Sequence, residues 1–306
     1  MPELPEVETI KRGLEKKIVG LTIKNLQVLY PKGVQFDPTD VVGQKVIGVW
    51  RRAKMLGIDL TSLQSSAVSS QTKNKKSLTT LVFHLKMTGQ LIYIGSRVKD
   101  AGNRLIGGHP TEDMKGKMPN KTTVAVFEFD DGSSLFFNDL RRFGWIKLIK
   151  REKGEAINDK LFENLGPEPF DQQFTWQKLK TNLLRRKKQP IKVAIMDQSL
   201  ISGVGNIYAS ESLFLARIDP RRKVLELEDE DFKKLFQGIK EALETGIKHG
   251  GSTRANFVNI EGERGYFLDY AYVYGKEGEK CRGCKGKVEK IQQSGRGTYW
   301  CPSCQH

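Results

Sequence analysis

Behind Pro5 and Glu6, apolar residues recur at Val7, Ile10 and Leu14, a spacing that lays them on one face of a helix ending near Gly20. The period then shortens. Strand-like runs at 21–30, 45–52, 78–86, 90–94, 124–129, 135–137 and 145–149 are separated by turn residues, with Asp131-Gly132 as a hairpin turn. Many short strands of this kind predict an antiparallel sandwich or barrel. Two polar stretches, 62–76 and 97–121, are long for hairpin loops. After Gly166-Pro167-Glu168-Pro169, which reads as a hinge, the pattern turns helical: Phe174, Leu179 and Leu183, then 191–198, 207–216 and 229–248. Two last short strands, 288–292 and 298–300, flank Ser294-Gly295-Arg296-Gly297. The fold class is therefore α+β, with an N-terminal antiparallel sandwich or barrel followed by a helical lobe and a small hairpin.

Charge narrows the partners. Lys plus Arg number 51 against 36 Asp plus Glu, a net charge of +15, and a surface this basic attracts nucleic acid through counterion release. No apolar run reaches the roughly 18 residues of a membrane span, and the first 15 residues carry four glutamates, which suits neither a spanning helix nor a secretory signal. A cytoplasmic location without membrane attachment is expected. The basic run Lys73 to Lys76 sits among Ser, Gln and Thr and reads as a solvated face; Arg185 to Lys188 reads either way.

All four cysteines fall in two close pairs, Cys281-x2-Cys284 and Cys301-x2-Cys304, the spacing of a tetrathiolate zinc site. A closed site of this kind is structural. It would pin the hairpin between the pairs and hold Arg296 at its tip, where a rigid guanidinium suits a phosphate.

The opening Met1-Pro2-Glu3-Leu4-Pro5-Glu6 offers different chemistry. Removal of Met1 turns the Pro2 nitrogen into a free secondary amine; α-amino groups titrate near 7.7–8.0, about two and a half units below lysine, so a useful fraction is nucleophilic at neutral pH and can form a Schiff base. Glu3 and Glu6 lie close enough in sequence to shuttle protons. The same residues also describe an ordinary helix start.

Gly203-Val204-Gly205-Asn206 lacks the third glycine and the preceding strand of a dinucleotide fingerprint. It reads as a helix-to-helix turn, either a plain connector or one whose amides and Asn206 side chain meet a phosphate. His84, His109, His249 and His306 are scattered with no nucleophile motif, which argues against a hydrolase triad.

Six segments, in order, resemble the bacterial formamidopyrimidine-DNA glycosylase family: Pro2 to Thr9, Arg51-Arg52-Ala53-Lys54, His84 to Gly89, Asp139 to Gly144, Gln198 to Ala209 and Gly295 to Thr298. Leu4 in the opening fits this family better than its sister, endonuclease VIII. The resemblance implies an antiparallel β-sandwich with flanking helices as the catalytic domain at 1–151, a linker at 152–171, a helix-two-turn-helix DNA-binding domain at 172–275 and a four-cysteine β-hairpin zinc finger at 276–306, gripping damaged double-stranded DNA as a monomer.

It implies roles as well. Pro2 is the nucleophile at C1′, Glu3 the acid/base and Glu6 its support. Lys54, counted with this catalytic group, holds phosphates around the lesion together with Asn206 and Arg296. Met87, Arg141 and Phe143 fill the gap left by the extruded base, as an apolar wedge, a guanidinium and a ring can do. Residues 250–267 correspond to a lesion-capping loop. The implied activity is excision of oxidised purines followed by β,δ-elimination, with one structural Zn2+ and no catalytic metal or nucleotide cofactor. Two alternatives remain at this level: an endonuclease VIII-like enzyme for oxidised pyrimidines, and a non-catalytic damaged-DNA-binding protein.

Overall fold

The computed structural model describes residues 1–61, 77–96, 104–108, 116–152, 160–252 and 266–306. The expectations placed on 62–76, on His109 and on most of the 250–267 loop lie outside these residues. The chain forms two compact units. One holds residues 1–2 and 6–162, the other residues 3–5, 163–252 and 266–306.

In the first unit two five-stranded sheets carry the fold. One runs β1 (Ile23–Val28), β8 (Thr123–Phe129), β9 (Ser134–Asp139), β6 (Gly89–Ile94), β7 (Arg104–Gly108); the other runs β2 (Val34–Gln35), β10 (Trp145–Glu152), β5 (Ser77–His84), β4 (Met55–Thr61), β3 (Lys45–Arg52). Pairing is antiparallel except between β10 and the two-residue β2. The inner faces meet in one core. Phe83 of β5 lies 6.0 Å from Phe127 of β8 and 5.9 Å from Phe137 of β9, ring to ring. Val7, Ile10, Leu14 and Ile18 of α1 (Leu4–Ile18) join that core. Burying side chains of this size contributes about 1.5–3 kcal/mol each.

Three strands were not legible as strands. β4 is buried along nearly its whole length and so shows no polar alternation. β7 falls inside the polar stretch 97–121, and β2 is too short to carry a pattern. Gly57 of β4 has a separate reason: a Cβ there would collide with the ring of Trp50, its cross-strand partner.

The second unit is helical: α2 (Lys160–Glu163) leads in from the first, and α3 (Trp176–Leu184), α4 (Ile191–Ile195), α5 (Asn206–Leu215), α6 (Asp229–Lys248) and α7 (Phe267–Tyr270) follow. α4 stops three residues before the expected end, its Met196 N–H already turned back to Val193 and Ala194. α6 has three acids in its first turn and a lysine in its last, as the dipole favours. The expected hinge is anchored. Gly166 donates to the Gln198 carbonyl (2.8 Å), Ser202 donates to the Pro167 carbonyl (3.0 Å), and a Cβ at Gly166 would meet the Leu200 backbone. Leu4 packs in this unit's core.

Beyond α7 the chain enters the hairpin of β11 (Glu289–Gln293) and β12 (Arg296–Trp300). Its two-residue turn, Ser294-Gly295, has both φ values positive (48° and 73°), the geometry that matches hairpin twist and favours glycine. Glu211 of α5 fixes the approach: its fully buried carboxylate accepts from the amides of Tyr272 (2.7 Å), Val273 (3.0 Å) and Tyr274 (2.8 Å). Burial pushes its pKa up, and these three hydrogen bonds oppose the rise. Among the described residues no helix is long and apolar enough to cross a membrane.

Candidate active site and metal centre

The predicted residues divide between the units. Pro2, Glu6, Lys54, Met87, Arg141 and Phe143 belong to the first; Glu3, Asn206, Arg296 and the four cysteines belong to the second.

In the second unit Glu3 is buried at the N-terminus of α5. Its carboxylate accepts from the amides of Ile207 (3.0 Å) and Tyr208 (3.4 Å). The helix has no cap of its own at Gly205, so an acid from the opening residues supplies it and is stabilised by the positive helix end. Gly205 must lack a side chain because a Cβ would overlap the Glu3 carboxylate. The preceding turn is built for the same docking. Gln198 clamps it by donating to the Met196 and Val204 carbonyls and accepting from Gly203, and the Gly203 carbonyl receives Leu4 N–H at 3.1 Å. The turn is therefore no plain connector. The two amides that follow it, Ile207 and Tyr208, are taken by Glu3.

Asn206 is also engaged. Its Oδ1 accepts from Lys192 Nζ (2.7 Å), while its Nδ2 donates to the Gly297 carbonyl (3.0 Å). Lys192 donates as well to Thr298 Oγ1 (2.7 Å). Arg296 is exposed beside them, and Lys192 and Arg296 line an open cleft of about 370 Å³. Sequence reasoning missed Lys192. Its only signal was one lysine in the apolar run 191–195. Burial pushes its ammonium down to about 8, repulsion from Arg296 adds to this, and attraction to Glu3 opposes it.

The thiolates fit a metal. All four Sγ atoms lie within 4.8 Å of one another, with Cys281 to Cys304 at 3.8 Å and Cys284 to Cys301 at 3.5 Å. A tetrahedral zinc with bonds of about 2.3 Å places its sulfurs about 3.8 Å apart. No disulfide joins these cysteines. The hairpin thus has two anchors, the cysteine cluster at its base and Lys192 with Asn206 along β12, where the sequence suggested the metal alone.

In the first unit Pro2 and Glu6 are buried, and Lys54 is 5% exposed in the turn between β3 and β4. That turn is held by an ion pair. Glu8 of α1 accepts from Arg51 Nε (3.0 Å) and Arg12 Nε (2.8 Å), and Arg51 Nη1 donates to the carbonyl of Ala53, whose φ is 55°. Burial disfavours the Glu8 charge, but the hydrogen bonds from Arg12 and Arg51 outweigh it and keep the carboxyl below its usual range. His84, at the cross-strand position of Met55, is held neutral. Burial, then Lys86 and Lys54, push it down to about 3, and its Nδ1 accepts from Lys86 N–H, leaving the other nitrogen a donor. Histidine scattering hid it, although it opens the 84–89 motif.

Met87 and Phe143 are 44% and 57% exposed, on the β5–β6 turn and the β9–β10 loop. The Arg141 guanidinium lies 4.9 Å from the centre of the Phe143 ring.

Comparisons with known proteins agree along the chain. The family description "Formamidopyrimidine-DNA glycosylase N-terminal domain" matches residues 1–146, its H2TH domain matches 165–257, and "Zinc finger found in FPG and IleRS" matches 278–306. A formamidopyrimidine-DNA glycosylase of Rickettsia massiliae is 36% identical over 310 residues, covering 100% of this chain and 98% of the relative. One from Heliobacterium modesticaldum is 36% identical over 312 residues, covering 100% of both. The structure of Lactococcus lactis Fpg with DNA containing an abasic site superposes with a TM-score of 0.79 at 30% identity over 99% of each chain. MutM bound to DNA containing carbocyclic 8-oxo-G gives 0.79 at 31% over 100% of each.

Proposed function

Because the chain belongs to the formamidopyrimidine-DNA glycosylase family, we propose that it excises oxidised purines, 8-oxoguanine and formamidopyrimidines, through a Schiff base on Pro2. Membership makes it a DNA glycosylase of base excision repair with lyase activity at the abasic site. The observation that carries the finer reading is the placing of Glu3, buried and fixed by two backbone amides directly after Pro2.

With Met1 removed, the Pro2 nitrogen attacks C1′ and the N-glycosidic bond breaks, its electrons leaving with the base. The proton released by the Pro2 nitrogen passes to the Glu3 carboxylate, which delivers it to O4′ as the sugar ring opens, leaving an iminium between Pro2 and C1′. Loss of a C2′ proton expels the 3′ phosphate, and a second elimination expels the 5′ phosphate, leaving a one-nucleotide gap. Glu6 supports the first steps. Lys54, the second N–H of the Asn206 amide and Arg296 hold phosphates, contacts that position DNA without reading sequence. In this reading a monomer works on damaged duplex in the cytoplasm with no cofactor beyond the structural zinc, and its domains divide at 1–151, 172–275 and 276–306.

Single-turnover base release from duplexes carrying 8-oxoguanine or thymine glycol tests the substrate class. Release from 8-oxoguanine should be faster by roughly tenfold or more. The opposite order would make the enzyme endonuclease VIII-like, and tight lesion binding without release would leave a binder.

The finger gives a second expectation. Stripping the metal should weaken binding to damaged and intact duplex alike by roughly tenfold, the size of one lost charge-assisted contact, and Arg296→Ala should do the same. Titrations of both proteins on both duplexes check this. Full affinity in both would reduce the finger to a structural appendage.

A further inference from the structure

The two segments that carry Met87, Arg141 and Phe143 meet at one buried carboxylate. β5 ends at His84, and a tight turn, with Lys86 at φ 49° and Gly89 N–H bonded to the Leu85 carbonyl at 2.8 Å, presents Met87 before β6 begins. β9 ends at Asp139, and the loop through Gly144 presents Arg141 and Phe143 before β10. Gly89 and Asp139 are cross-strand partners, so the two connections leave the sheet side by side.

Asp139 is 0% exposed. One of its oxygens, Oδ1, accepts from the Thr88 hydroxyl and from Arg141 N–H (3.2 Å), and the other, Oδ2, accepts from Gly144 N–H (2.6 Å). Thr88 Oγ1 in turn accepts from the same Arg141 N–H at 3.0 Å. Each end of the loop is thus tied to the carboxylate, and the residue after Met87 is tied to it too. Gly144 has room for no side chain, since a Cβ would lie 2.8 Å from Phe137 and 3.0 Å from Asp139 Oδ2. Arg142, at φ 57°, turns the opposite way: it donates to the Lys121 carbonyl (3.1 Å) and stacks on Tyr30 at 4.4 Å. Its neighbours are left to project. A buried carboxylate is costly unless its hydrogen bonds are complete. The donors that meet this one lie on the turn after Met87 and on the 141–144 loop.

We propose that Thr88 and Asp139 are positioning residues that make the Met87 turn and the Arg141–Phe143 loop act as a single element on DNA with an extruded nucleotide. The proposal rests on the reading of Met87, Arg141 and Phe143 as gap fillers. It predicts energetic coupling between residues 55 or so positions apart that disappears when one hydroxyl is removed.

The test is a double-mutant cycle of Met87→Ala and Phe143→Ala, read as the affinity ratio for damaged over intact duplex, in the wild-type and Thr88→Val backgrounds. Each single alanine should lower the ratio roughly tenfold, with a salt slope nearly unchanged because no phosphate contact is lost. In the wild-type background the pair should be non-additive by roughly fivefold. Thr88→Val should abolish the non-additivity, and Thr88→Ser, which keeps the hydroxyl, should preserve it. Asp139→Asn probes the same link from the other side, since its amide would face either Gly144 N–H or Arg141 N–H with a donor. Coupling that survives in both Thr88→Val and Asp139→Asn overturns the proposal while leaving gap filling in place. Single alanines that leave the ratio unchanged overturn gap filling, and the proposal with it.

Discussion

A chain beginning at Pro2 should be trapped covalently by borohydride on an 8-oxoguanine duplex, whereas a variant whose Met1 cannot be removed should not be trapped at all. With Met1 attached, the Pro2 nitrogen is an amide, its lone pair is delocalised, and it cannot form an iminium. Base release should fall by about 10⁴- to 10⁶-fold, the range seen when a covalent nucleophile is removed. Pro2→Gly keeps an amine but frees the backbone that aims it, and should trap poorly. Mass spectrometry of the N-terminus must accompany the assay. Efficient trapping by a chain that retains Met1 would contradict the assignment.

Glu3→Gln should lower single-turnover base release by about 10²- to 10⁴-fold, the usual share of a positioned acid/base, and leave DNA affinity near wild type. The substitution keeps the shorter half of the α5 cap. A glutamine carbonyl can still accept from Ile207 N–H at 3.0 Å, its NH2 then replaces only the oxygen that met Tyr208 N–H at the longer 3.4 Å, and the Gly205 backbone still has its close neighbour. What disappears is the transferable proton. Binding should survive because the proposed phosphate contacts come from Lys54, Asn206 and Arg296. Among these, Asn206 is hydrogen-bonded to Lys192 and to the Gly297 carbonyl. A binding titration beside the release assay separates the two effects, and near-normal release by Glu3→Gln would remove Glu3 from the chemistry.

Local pattern alone carried much of the architecture. The 3.6-residue period of α1 and α6, the alternation of the β-half, the turn at Ser294-Gly295 and the spacing of the four cysteines are each written within a few neighbouring residues, where propensity and side-chain direction act directly. The opening residues carried the amine chemistry of Pro2 and the proton transfer of Glu3, and the six ordered motifs placed it on DNA. Where burial erased the pattern, as in β4, or where the strand was only two residues long, as in β2, the same signals were silent.

The folded structure decided how the site residues are held. Glu3 caps a helix 204 positions away, Lys192 reaches Thr298 across 106, Thr88 meets Asp139 across 51, and Arg51 pairs with Glu8 across 43. None of these pairings is visible in sequence, because a charged or hydroxyl residue looks the same whether it is solvated or buried against a partner. Its partner is chosen only when distant segments are brought together, and it is then retained because an unsatisfied buried polar group costs about 1–3 kcal/mol. The sequence by itself determined which groups could react and which elements carry them; burial and long-range hydrogen bonding determined which of those groups are fixed, and against what.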